Sequence, residues 1–214
     1  MSEESNTAAD DGAIFDYTFA LLGMMAGIDG YVDESEIHTI ERFIGEYLSL
    51  SSEEHDYAME IVDLASKSPE QYVKCAEFID AAASGHQGIK NIILDILLKI
   101  SLADGSYDLE EEELVARVAE TFGIEQSELE GLQALYATAA SSSLPDAEEK
   151  RAFILGCSPS TSLAELKVRY EHLVSVYNPD KALEAGLPAE FVNVVRKRFE
   201  DIEEAYALLS ANSE

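Results

Sequence analysis

The chain has 214 residues, 47% of them hydrophobic, enough for a globular core and one or two domains, which excludes both a disordered tail and a mini-protein. Its 14 Lys and Arg stand against 43 Asp and Glu, a net charge of -29. That sign repels phosphate backbones, so nucleic acid and anionic membranes are disfavoured as partners while cations and basic proteins are favoured; adaptation to a saline habitat accounts for the overall acidity equally well.

The five prolines, at 69, 145, 159, 179 and 188, fall between apolar-periodic segments and never inside them, and no strand alternation of useful length is present. The expected fold class is all-α. After a disordered tail over 1–11, helices are predicted at about 12–27, 34–49, 52–66, 69–84, 87–103, 109–121, 125–139, 146–155, 162–177 and 188–210. Ser51-Ser52-Glu53-Glu54 and Ser68-Pro69-Glu70 read as helix starts, a cap followed by acid or proline in the first turn. Residues 1–140 hold 6 Lys and Arg against 30 Asp and Glu, whereas 141–214 hold 8 against 13. The small-residue stretch 140–145 at that change is the predicted linker, giving one helical domain over 12–139 and a second over 146–214.

Within the first domain a repeat is visible. Asp29-Gly30-Tyr31-Val32-Asp33-Glu34-Ser35-Glu36 and Asp104-Gly105-Ser106-Tyr107-Asp108-Leu109-Glu110-Glu111 both read D-G-x-x-D-x-x-E, 75 residues apart, each after a strongly apolar helix. Three carboxylates at offsets 0, 4 and 7 could supply oxygen ligands to a divalent cation. The loop is not an EF-hand. Counting from Asp29, positions six and twelve are Glu34 and Ile40; counting from Asp104 they are Leu109 and Val115. Capping is the alternative: Gly30 and Gly105 suit a left-handed helix exit, Asp33 and Asp108 suit N-caps, and Glu36 and Glu111 complete capping boxes. Capping leaves Asp29 and Asp104 unexplained.

This paired pattern, over roughly 12–138, resembles the TerB family of tellurite-resistance proteins. The resemblance implies an all-helical fold with acidic turns that bind a divalent metal, through Asp29, Asp33, Glu36, Asp104, Asp108 and Glu111. No cofactor is otherwise required.

In the second domain two long predicted helices bracket Asn178-Pro179-Asp180-Lys181. Leu166, Tyr170, Leu173 and Val174 on one side and Phe199, Ile202, Ala205, Tyr206 and Leu209 on the other recur at three- and four-residue intervals, so they can zip into a helical hairpin. With Phe153-Ile154-Leu155-Gly156-Cys157-Ser158-Pro159 before them and Arg198 to Leu209 closing, this stretch resembles a J-domain carrying Asn178 where the family has histidine. The longer loop Lys181 to Pro188 is similar to that of the DjlA family, whose members also join a TerB-like region to a C-terminal J-domain. In J-domains the His-Pro-Asp loop and the basic face of the second helix dock on a DnaK-type chaperone and stimulate its ATP hydrolysis. That implies Asn178, Pro179, Asp180, Lys181, Lys167 and Arg169 as chaperone contacts. An Asn side chain can donate and accept hydrogen bonds but cannot become cationic, and Glu171 and His172 stand where further basic residues are usual, so docking is expected to be weakened.

Other chemistry is sparse. Cys75 and Cys157 are far apart without a CxxC, so free buried thiols are expected, and His38, His55, His86 and His172 form no ligand pattern and read as surface or helix-end residues. With no Walker loop, nucleotide-binding glycine pattern or serine elbow, the chain reads as no enzyme. No run approaches about 18 apolar residues, and MSEESNTAADDG lacks a signal sequence's basic and apolar regions. The membrane segment associated with the DjlA family is not seen, so a soluble cytoplasmic protein is expected. The leading functional expectation is a noncatalytic co-chaperone-type adaptor with a degenerate J-domain and an unidentified client. A functional stimulator of a DnaK-type ATPase and a metal-binding stress protein with a purely structural hairpin are the alternatives.

Overall fold

The computed structural model describes residues 7–48, 50–84, 86–103, 108–141, 147–158, 160–185 and 187–211, and every regular element among them is helical. In order these are α1 (Thr7–Ala26), α2 (Glu34–Tyr47), α3 (Ser52–Ser66), a 3-10 turn (Pro69–Gln71), α4 (Tyr72–Ala82), α5 (Gln87–Ser101), α6 (Leu109–Thr121), α7 (Gln126–Ser141), α8 (Ala147–Ile154), α9 (Leu163–Val176), α10 (Pro179–Glu184) and α11 (Ala189–Ala211). Helix α1 begins at Thr7, inside the stretch expected to be a tail, while residues 1–6 lie outside the described residues, as do 142–145 of the expected linker, Pro159 and Gly186. The segment expected as one helix from residue 69 is a 3-10 turn followed by α4. Its Ser68 N-cap makes no side-chain capping bond, and Pro69 supplies no N–H.

The first unit is built around α1, which packs against α3, α4 and α5. Phe19, Leu21, Leu22, Met25 and Ala26 are all fully buried on it. Its crossing with α3 is close because Gly23 and Gly27 face that helix. A Cβ on Gly23 would stand 2.4 Å from the Val62 carbonyl oxygen, and one on Gly27 would stand 2.1 Å from that of Ser66. Gly30, at φ +88°, then turns the chain into α2 in the left-handed region that glycine adopts without penalty.

Helix α5 is buried on nearly every side: Ile89, Ile93, Leu94, Leu97, Leu98 and Ile100 are at most 1% exposed. A helix apolar all round needs partners all round. Here α1, α2, α6 and α7 supply them from the first unit and α11 from the second. The second unit is a hairpin in which α11 packs on α9, α8 and α10. Leu166, Ile202, Ala205 and Leu209 are buried between its helices, and Tyr170 stacks on Tyr206 at 4.1 Å between ring centroids. One contiguous hydrophobic cluster runs from Ile14 in α1 to Leu209 in α11, so both units share a core.

Candidate functional site

The sequence around Asn178 was expected to form a loop, but residues 179–184 make a short helix. The reason is local: Pro179 fits the first helical position, where a missing N–H costs nothing, and Asn178 is its N-cap. The Asn178 Oδ1 accepts from the backbone N–H of Asp180 at 2.9 Å and of Lys181 at 3.3 Å. Asp180 itself is exposed. Lys181 Nζ reaches back to the Ser175 carbonyl at 3.2 Å, tying α10 to the end of α9.

The remaining two contact residues expected on α9 are used differently from each other. Lys167 lies on the exposed face, 3.9 Å from Glu171. Arg169 donates to the carbonyls of Leu155 at 3.2 Å and Gly156 at 3.1 Å, so it caps the C-terminal end of α8. The structure thus brings Asn178, Pro179, Asp180 and Lys181 together at one tip and binds Arg169 to the neighbouring helix.

What sequence reasoning missed is the seat beneath this tip. Three residues of the first turns of α5 hold three consecutive residues of the second unit. His86 Nε2 lies 3.3 Å from the Asn178 carbonyl oxygen. Gly88 lies so close to the Val176 carbonyl that a Cβ would stand 2.7 Å from it. The Asn91 side chain faces Tyr177, which is buried. The single sequence signal was Gly88, a glycine opening a strongly apolar helix, where close backbone approach is one of its uses.

Below the seat lies a polar cluster between α5, α7 and α11. Arg198 sits 5.9 Å from the centre of the Tyr177 ring and donates to the Ile154 carbonyl at 3.4 Å. Tyr136 donates a hydrogen bond to Asp95, whose other oxygen pairs with Lys99 at 2.9 Å. Burial pushes the Asp95 carboxyl upward, but the charges of Lys99 and Arg198 and the Tyr136 hydrogen bond outweigh it and hold it below its ordinary value. The Tyr136 phenol moves the other way, well above its ordinary value, through burial and the neighbouring carboxylate. A cleft of about 590 Å³ opens beside these groups, but its Asp95, Arg198 and Arg169 are already engaged within the protein.

At the first acidic turn each of the three candidate ligands, Asp29, Asp33 and Glu36, has a structural partner. Asp33 caps α2 in a capping box, its Oδ1 accepting from the Ser35 N–H at 2.7 Å, while Glu36 Oε2 accepts from the Asp33 N–H at 2.8 Å. These hydrogen bonds hold the Asp33 carboxyl below its usual range. Asp29, left over by the capping reading, accepts from the Tyr31 N–H at 2.8 Å and so closes an Asx-turn. In the second copy Glu111 Oε2 accepts from the Asp108 N–H at 2.9 Å, while Asp104 and Gly105 lie outside the described residues. Among the described residues no three carboxylate, imidazole or thiol groups gather as a metal cluster would require. Asp33→Ala removes the cap of α2 and is therefore expected to lower the urea midpoint of unfolding with an unchanged m-value.

Of the four histidines, His86 is the N-cap of α5 and is 2% exposed, whereas His38 and His172 are exposed and His55 is partly exposed. Cys75 is buried and Cys157 partly buried, both as free thiols.

Comparison with known proteins adds three findings. Residues 16–134 match the family described as tellurite resistance protein TerB. The chain is also similar, over most of its length, to proteins named co-chaperone protein DjlA. It is 25% identical to that of Shewanella oneidensis over 200 residues, covering 91% of this chain and 76% of the relative, and 24% identical to that of Vibrio cholerae with the same shares. For the Escherichia coli protein the identity is 20%, covering 98% and 83%. No solved structure matches. These relatives correct the expected cytoplasmic location, because DjlA is a membrane-anchored co-chaperone in bacteria. Among the described residues no helix is long and apolar enough to cross a membrane. The lack of an apolar run limits what these helices can span, not where the protein resides.

Proposed function

Because this chain belongs to the TerB family and is DjlA-like over most of its length, we propose that it is a non-enzymatic co-chaperone-type adaptor, contacting a DnaK-type chaperone through the tip that carries Asn178, Pro179 and Asp180. One observation carries this reading. The tripeptide stands at the turn of a helical hairpin, as the start of α10 and with Asp180 exposed, in a chain whose relatives are named co-chaperones.

The output is altered, not merely copied. The Asn178 side-chain oxygen is occupied by two backbone N–H groups, so the group left to face a partner is a neutral amide that cannot take up a proton. Arg169 caps α8, and Glu171 shares the exposed face of α9 with Lys167, which leaves little net positive charge there to meet an acidic groove.

The test is the steady-state ATP turnover of a DnaK-type chaperone from the same organism, measured with and without the purified protein. Wild type is expected to raise turnover less than the Asn178→His variant does, and Asp180→Asn is expected to remove whatever stimulation exists. Full stimulation by wild type, with no gain from Asn178→His, would sink the degenerate reading in favour of an unimpaired co-chaperone. No effect from any of the three proteins would sink the chaperone reading itself.

A further inference from the structure

We infer that His86, a residue of the first unit, is a positioning residue for the Asn178-Pro179-Asp180 tip, so that the TerB-like unit sets how the tripeptide is presented. This rests on the reading of that tip as a chaperone contact.

The tautomer follows from the partners. The backbone N–H of Ile89 points at His86 Nδ1 at 3.2 Å, and an N–H can only donate, so Nδ1 is the bare acceptor. In a neutral imidazole the proton must then sit on Nε2, which donates to the Asn178 carbonyl oxygen at 3.3 Å. That same oxygen accepts the first intrahelical bond of α10, from the Ala182 N–H at 3.2 Å. His86 therefore fixes the carbonyl from which α10 starts, while the side chain of the same Asn178 fixes the N–H groups of Asp180 and Lys181. One residue is held at both ends, and the aspartate of the tripeptide follows it by two positions.

The neutral state is favoured by the surroundings. Burial of the ring pushes the His86 pKa down, and the positive charge of Lys181 adds to this, outweighing the hydrogen bond to the Asn178 carbonyl that acts the other way. Protonation would also set a second proton against the Ile89 N–H. The close approach of Gly88 to Val176 holds the two backbones at the distance this bond needs.

A competing account is that His86 is only the N-cap of α5. Asn and Ala separate the two. Asparagine is a good N-cap but is too short to reach the Asn178 carbonyl, whereas alanine loses both roles. The experiment compares full-length wild type, His86→Asn and His86→Ala by amide hydrogen exchange and imidazole 15N NMR, and by the dependence of chaperone ATP turnover on protein concentration. Wild type is expected to show a single Nε2–H tautomer. In His86→Asn the Ile89 amide keeps its protection while the amides of Asp180, Lys181 and Ala182 exchange about tenfold faster, as local opening predicts. The concentration for half-maximal stimulation rises and the maximum stays. Wild-type exchange at those three amides in His86→Asn, or an Nδ1–H tautomer in wild type, overturns the inference. The exchange result decides the role of His86 even if turnover never changes, an outcome that would remove only the chaperone reading.

Discussion

Replacing Gly23 and Gly27 together with alanine is expected to lower the thermal midpoint of unfolding by roughly 10–15 °C, given the few °C per kcal/mol typical of a chain this size. The added methyl groups would stand 2.4 and 2.1 Å from main-chain oxygens of Val62 and Ser66, closer than any carbon can approach an oxygen. No side chain can swing aside to make room, because the obstructing atoms are backbone. Helices α1 and α3 would have to separate along the crossing, taking fully buried Leu22 and Val62 with them. Overpacking of this kind costs up to about 3 kcal/mol per site, and at Gly23 the better helix propensity of alanine returns about 1 kcal/mol. Differential scanning calorimetry of the double variant checks the sign, which would be opposite if propensity won.

The second large effect is expected at Arg198. Arg198→Met keeps most of the side-chain volume but removes the charge, the bond to the Ile154 carbonyl and the contact with Tyr177. Asp95 would keep Lys99 and Tyr136 but lose one of the two cations that act on it. Breaking a largely buried charge arrangement by removing one member costs about 3–5 kcal/mol; the surviving Lys99 argues for the lower end, about 3 kcal/mol. Urea unfolding would read this as a fall in midpoint, and the Asp95→Asn, Arg198→Met double variant should lose less than the sum of the singles. The pH dependence has a definite sign. The Asp95 carboxyl is depressed in the folded protein, so the unfolded chain binds its proton first as pH falls. Its contribution is complete above the ordinary carboxylate range near pH 4 and disappears as pH drops through the lower folded value. Arg198→Met should flatten that acid limb.

How far the sequence foretold this molecule depends on the range of the forces involved. Helix ends are set by neighbours in the chain, so the cap at Ser51 and the break after Ser66 place α3 where the sequence predicts it, over Ser52–Ser66. The same local logic identifies Asp33 and Glu36 as a capping box. It passes over α10, because six residues carry too little periodicity to stand out, although Asn178-Pro179 is a good helix start. It also leaves Asp29 without an explanation, since an Asx-turn is a matter of backbone direction. The seat formed by His86, Gly88 and Asn91 was out of reach for a different reason. Its contacts join residues about ninety positions apart, as between His86 and Asn178, and no local pattern encodes them. Arg169 illustrates the converse: a basic residue at the expected place in a family pattern, yet bonded to the end of α8.

The all-round burial of α5 has a consequence for synthesis. Ile92 and Ile96 line the narrow space closed by Tyr177 and Arg198, residues made long after α5 has left the ribosome. Until the last helix arrives, Phe43 and Tyr47 of α2 cover that apolar strip from one side and the other side is open, and strips left open in this way are what nascent chains stick by. The last helix is thus the piece that completes the cover of α5, and a chain stopped short of it would leave that strip open.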